Sequence, residues 1–159
     1  MATARTTTQG ADETAVGARA EIDAATRKLA IKAAYRDERI WDVLLYQSAA
    51  EAGPADGGCL VCAKAIIYAF GRGHLVRITS QANGGQTEHY GAKVEGLIYD
   101  FYGEHKTPAS WIKKFAEMER SALQGRALTY AEGLDQKDIS IVDDEGASRR
   151  IARLMTSKF

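Results

Sequence analysis

The chain has 159 residues, 45% of them apolar and 26% charged, with 21 basic and 21 acidic side chains balancing to a formal net charge of zero. Such a length and composition suit one globular domain with a sizeable core, and they withhold the strong basic field that phosphate-driven nucleic-acid binding needs. The opening residues MATARTTTQGADETA lack the basic-then-apolar layout of a secretory signal, and the longest nearly apolar run, residues 59–70, is too short to span a bilayer and contains Lys64. No nucleic acid and no membrane are expected as partners, and the expected site of action is cytoplasmic.

Residues 1–14 are polar and aperiodic and read as a flexible tail, leaving 15–159 as the folded domain. An Ala-rich helix is predicted over 15–35, with Ile22, Leu29, Ile31 and Ala33 as its apolar residues. A second is predicted over 37–52, with Ile40, Val43, Leu44 and Gln47 on one side, before the breaker Gly53-Pro54-Ala55-Asp56-Gly57-Gly58. Residues 59–70 are apolar nearly all round and predict a buried helix, stopped by Gly71-Arg72-Gly73.

There the period changes to two. Residues 74–80 alternate as a strand, 82–85 form a turn, and 89–94 and 97–102 make two strands joined by a tight turn at Glu95-Gly96. Thr107-Pro108 caps a further helix with the stripe Trp111, Ile112, Phe115, Met118 and Leu123. A strand near 139–142 and a basic helix near 148–155 complete the chain. Helices, then a small antiparallel sheet, then helices, make an α+β fold.

Both cysteines, Cys59 and Cys62, lie in GGCLVCAKAI. Their spacing suits half of a zinc site, but His74, His89 and His105 supply no second close pair. It also suits a redox pair, which ordinarily follows a strand rather than a helix and a glycine loop. A structural disulfide would close too small a loop, so a reducing compartment is the simplest setting. Cys62, one turn into the helix, shares the neighbours of Ile66 and reads as core. Cys59 follows two glycines at the helix tip, where free backbone N–H groups and the helix dipole favour a thiolate and can donate to an oxyanion.

A nucleophile there needs a base and a group to orient the base. With Glu95-Gly96 as the turn, Val94 faces Leu97 and Gly91 stands opposite Asp100, so His89 and Asp100 become diagonal neighbours on one face, roughly 7 Å apart between backbones. Gly91 between them is expected to leave room. Tyr90, Ala92, Tyr99 and Phe101 occupy the other face, ready to pack on a helix. His74, after a glycine turn, and His105, in a polar loop, read as surface residues, with His105 able to border the site. The alternative for His89 is a strand residue satisfied by a carbonyl.

GGCLVCAKAI, followed by EHYGAKVEGLIYDFYG and TPASWIKKF, resembles the papain-fold toxin domains of bacterial polymorphic toxin systems over residues 57–115. The pattern is similar also to transglutaminase-like cysteine hydrolases. The resemblance implies a papain-like core, with Cys59 as nucleophile, His89 as general base and Asp100 as orienting acid. Papain-type enzymes can carry a spare cysteine three residues before the nucleophile, which would instead select Cys62. The oxyanion Gln of such enzymes has no firm match, Gln47 being the nearest candidate.

The expected activity is thiol-dependent amide hydrolysis or acyl transfer, whether protease, deamidase or transglutaminase, on a protein or peptide substrate without metal or cofactor. The resemblance adds a toxin effector delivered into a target cell and a cognate immunity protein as partner. A catalytically inactive binding or immunity-type module on the same fold is the alternative.

Overall fold

The computed structural model describes residues 23–81, 85–119, 126–136 and 141–157. The tail assigned to residues 1–14, the first turns of the helix expected from residue 15, most of the turn at 82–85, Leu123 and residues 139–140 lie outside the described residues. The fold is α+β, as the order of periods predicts. Its sheet is antiparallel throughout, with five strands in the order β4-β3-β2-β1-β5. These are β1 (His74–Ser80), β2 (Gln86–Val94), β3 (Leu97–Asp100), β4 (Gly103–His105) and β5 (Leu128–Glu132).

Five helical segments flank the sheet: α1 (Ala24–Ala34), α2 (Glu38–Asp42) running into a π turn over Val43–Gln47, α3 (Cys59–Phe70), α4 (Pro108–Met118) and α5 (Glu145–Thr156). On one face of the sheet Ala92, Val94 and Tyr99 join Val61, Cys62 and Ile66 of α3, Ile31 of α1, and Ile151 and Met155 of α5 in one core. On the other face Val76, Ile78 and Ile98 pack with Trp111 and Phe115 of α4. The two-residue period of the strands thus divides the molecule, sending Ala92 and Tyr99 to one helical layer and Ile98 to the other.

Local chemistry sets most of the helix ends. Asp23 caps α1 by accepting from the Thr26 N–H at 2.9 Å, and Asp144 does the same for α5 through Ala147 N–H at 2.9 Å. Thr107 and Ser110 form a reciprocal capping box with Pro108 in the first turn of α4. The second helix stops at Gln47 rather than residue 52, because the Ala49 N–H is drawn to Asp144 Oδ2 at 2.9 Å and the Ser48 hydroxyl donates to the Leu44 carbonyl. A tertiary bond has overridden helix propensity there.

Two apolar stripes differ from expectation. The buried face of α1 is Arg27, Ala30, Ile31 and Ala34, while Leu29 is 69% exposed. Met118 is 53% exposed, so the stripe of α4 ends at Phe115. The fifth strand forms at residues 128–132, and of the segment expected near 139–142 the described residues 141 and 142 belong to no strand. Pairing with β1 along its whole length selects that segment.

The β2–β3 hairpin has the register counted from its turn: Val94 faces Leu97, Lys93 faces Ile98 and Ala92 faces Tyr99. Glu95 and Gly96 both take positive φ, 50° and 81°, the I′ geometry that matches strand twist. Glu95 holds its left-handed conformation while its carboxylate pairs with the buried guanidinium of Arg27 and, at 2.8 Å, with Arg72. The turn that aligns the hairpin is thereby tied to α1.

Gly91 does not leave an empty space, as its lack of a side chain suggested. Its site is filled by Trp111, and a Cβ there would stand 2.8 Å from the indole and 3.2 Å from the Tyr99 carbonyl. Replacing Gly91 with Ala should therefore cost about 1–3 kcal/mol of stability, read as a lower urea midpoint with an unchanged slope.

Candidate active site

Asp100 is the last residue of β3 and is 3% exposed. Its carboxylate receives four donors. Oδ1 accepts from the Tyr102 N–H at 2.8 Å and pairs with His105 Nε2 at 3.0 Å. Oδ2 accepts from the Trp111 indole N–H at 2.6 Å and pairs with His89 Nε2 at 3.0 Å. An ionised carboxylate only accepts, so both imidazoles present Nε2–H to it. Burial alone would raise the Asp100 pKa, but the hydrogen bonds and charges of His105 and His89 outweigh it and hold the group well below the ordinary carboxylate range.

His89 is 2% exposed and stacks on the Phe115 ring, with centroids 4.9 Å apart. It lies beyond the end of β3, because pairing between β2 and β3 covers only residues 92–94 and 97–99. On its other edge the β1–β2 register slips just past the Ile78–His89 pair, leaving Glu88 as an extra residue. A bulge of this kind bends a strand and re-aims its side chains. Tyr90, the neighbour of His89 in β2, packs with Cys59, Leu60 and Ala63 of α3. Desolvation lowers the His89 pKa, yet the hydrogen bonds and charges of Asp100 and Cys59 prevail and raise it to about 10.

Cys59 lies close enough to His89 to act on its proton affinity, and His89 Nε2 stands 3.0 Å from Asp100 Oδ2. With Nε2 committed to Asp100, Nδ1 is the ring nitrogen left to exchange a proton with the thiol. Gly58 caps α3 without a side-chain hydrogen bond, so the first N–H groups of the helix lack intrahelical acceptors. The glycine is required by the chain itself. A Cβ at Gly58 would meet the Ala52 and Gly53 carbonyls at 2.9 Å, so the tight 53–58 loop fills the space beside it.

The two thiols occupy different surroundings. Cys62 lies among Val61, Ile66 and the aliphatic core, and burial pushes its pKa up to about 12. Cys59 groups with Leu60, Ala63 and Tyr90 and is 4% exposed, not on an open turn as its position after two glycines suggested. The array is assembled and closed. Among the described residues no cluster of three or more His, Cys, Asp or Glu is arranged to hold a metal, and no helix is long and apolar enough to cross a membrane.

Two other expectations change, while His74 keeps its expected surface position. His105 is not a surface residue; β4 buries it to 6% exposure against Asp100. His74 is half exposed near Glu132 at 3.6 Å, away from the array. Gln47 is exposed, with its carbonyl accepting from Arg150 at 2.8 Å, and plays no part in the site. The signal for His105 was the strand alternation of Asp100, Gly103 and His105 across a two-residue connection, obscured because Phe101-Tyr102 are not ordinary hairpin-turn residues.

The shifts assign a pH dependence. Asp100 has a depressed folded pKa, so its contribution to stability is complete above the unfolded value near 3.9 and is withdrawn as pH falls below it. His89 has a raised folded pKa, so its contribution is complete below about 6.5 and is lost as pH rises through about 10. Urea unfolding across pH should therefore show an acid and an alkaline limb. Asp100→Asn should flatten the acid limb and, at pH 7, cost about 3–5 kcal/mol by leaving His89 and His105 without their anion.

Compared with protein-family models, with curated proteins and with solved structures, the chain gives no match.

Proposed function

We propose that the protein is a cysteine-dependent amide hydrolase or acyl-transfer enzyme in which Cys59 attacks, His89 moves the proton and Asp100 orients His89. The observation that carries the reading is the buried His89–Asp100 pair at 3.0 Å, with Cys59 at the tip of α3 close enough to act on the His89 ring. His89 Nδ1 takes the thiol proton, and the sulfur electron pair forms a bond to the carbonyl carbon. When the intermediate collapses, the C–N bond breaks and the amine leaves with the proton from His89. Water then releases an acid, as in peptide cleavage or glutamine deamidation, or an amine accepts the acyl group.

Tyr102, which neighbours His89, also lines a cavity of about 240 Å³ together with Ile31, Tyr35, Phe101 and Gly103 and the exposed Lys32 and Arg36. Tyr102 reaches toward His89, with ring centroids 5.9 Å apart. A protein or peptide substrate would approach the thiol from this side. The toxin resemblance of residues 57–115 extends the proposal to an effector that damages a recipient cell and is neutralised by an immunity protein.

The 4% exposure of Cys59 favours a second reading, a binding module that keeps the hydrolase fold without turnover. Growth of bacteria expressing each form separates them. Under the enzymatic reading the wild type inhibits growth, Cys59→Ala abolishes inhibition with a loss of activity of about 10³-fold or more, and Cys62→Ala retains most of it. The reverse order would transfer the nucleophile to Cys62, and equal growth of all three would favour the binding module.

A further inference from the structure

The cleanest unexplained polar group in the molecule is the hydroxyl of Tyr35. The residue closes α1 as its C-cap and is 8% exposed, yet its oxygen has no hydrogen-bond partner among the described residues. The Cys62 sulfur lies close enough to interact with it, and Asp100 and Cys59 lie nearby, but none completes a hydrogen bond of acceptable geometry. A buried hydroxyl left without a partner is costly, and native structures rarely tolerate one without a use. Its ring is held in place by an edge-to-face contact with Phe101, centroids 5.1 Å apart, and forms part of the wall of the 240 Å³ cavity.

We infer that the Tyr35 hydroxyl is the donor that receives the negative oxygen formed when Cys59 adds to a carbonyl. This rests on the acyl-transfer reading above. The second donor is the backbone N–H at the start of α3, which Gly58 leaves without a side-chain cap. As the sulfur–carbon bond forms, the carbonyl π pair moves onto oxygen while the thiol proton resides on His89. Tyr35 keeps its own proton and only donates a hydrogen bond. On collapse the π bond re-forms, the C–N bond breaks and the His89 proton leaves with the amine. Burial holds the phenol well above its ordinary pKa, so it remains a donor throughout the neutral range. The role vacated by the exposed Gln47 passes to a residue of the preceding helix.

The test compares wild type with Tyr35→Phe, which keeps the ring and removes only the oxygen. Two probes are used: p-nitrophenyl acetate, whose attack on a carbonyl creates an oxyanion, and iodoacetamide, whose displacement at a saturated carbon creates none. Mass spectrometry locates each label. Tyr35→Phe should slow acylation of Cys59 by about 100- to 1000-fold, leave its alkylation within about twofold, and leave the urea midpoint unchanged or raised. Equal acylation of both proteins overturns the role of Tyr35 alone. Parallel losses in acylation, alkylation and urea midpoint make Tyr35 a packing residue and overturn it too. A wild type whose Cys59 is alkylated but never acylated overturns the acyl-transfer reading itself, and the inference with it.

Discussion

A carboxylate cut off from water must be solvated by the protein or lose its charge, and Asp100 is solvated from four directions at once. His89 comes from β2, His105 from β4, Trp111 from α4, and the Tyr102 N–H from the turn that follows Asp100 itself. Removing water from an ion costs several kcal/mol before these donors offset it, so none of the four elements can shift independently. The register of two hairpins, the seating of α4 on the sheet and the tautomer of His89 all answer to one side chain.

The same enclosure shapes the chemistry. Cys59 and Cys62 are three residues apart on one helix, yet they meet different worlds: Cys62 an aliphatic core, Cys59 an imidazole. A cavity walled by Tyr35 and Tyr102 lies beside the buried layer. Tyr102 further anchors that side by donating to Glu119 at 2.9 Å.

Much of this was legible in the chain. The change of period after Phe70 announced the sheet, Thr107-Pro108 announced α4, and Glu95-Gly96 set the alignment that places His89 beside Asp100. These features are local, and the backbone geometry they demand has few solutions. Less was visible where distant segments compete. The early end of α2 depends on Asp144, almost a hundred residues away. The choice of 128–132 as fifth strand depends on an open edge of β1. The burial of Arg27 in place of Leu29 depends on a carboxylate at the hairpin turn.

From residue types and spacing alone came the α+β class, the difference between the two cysteines, and the pairing of His89 with Asp100, because periodicity and turn geometry act over a few residues. Tertiary structure decided that the thiol is enclosed, that His105 and Trp111 share the carboxylate, and that Gly91 makes room for an indole rather than a ligand. Those outcomes turn on how two helical layers close over the sheet, and a pattern within one strand or helix carries no information about what will be packed against it.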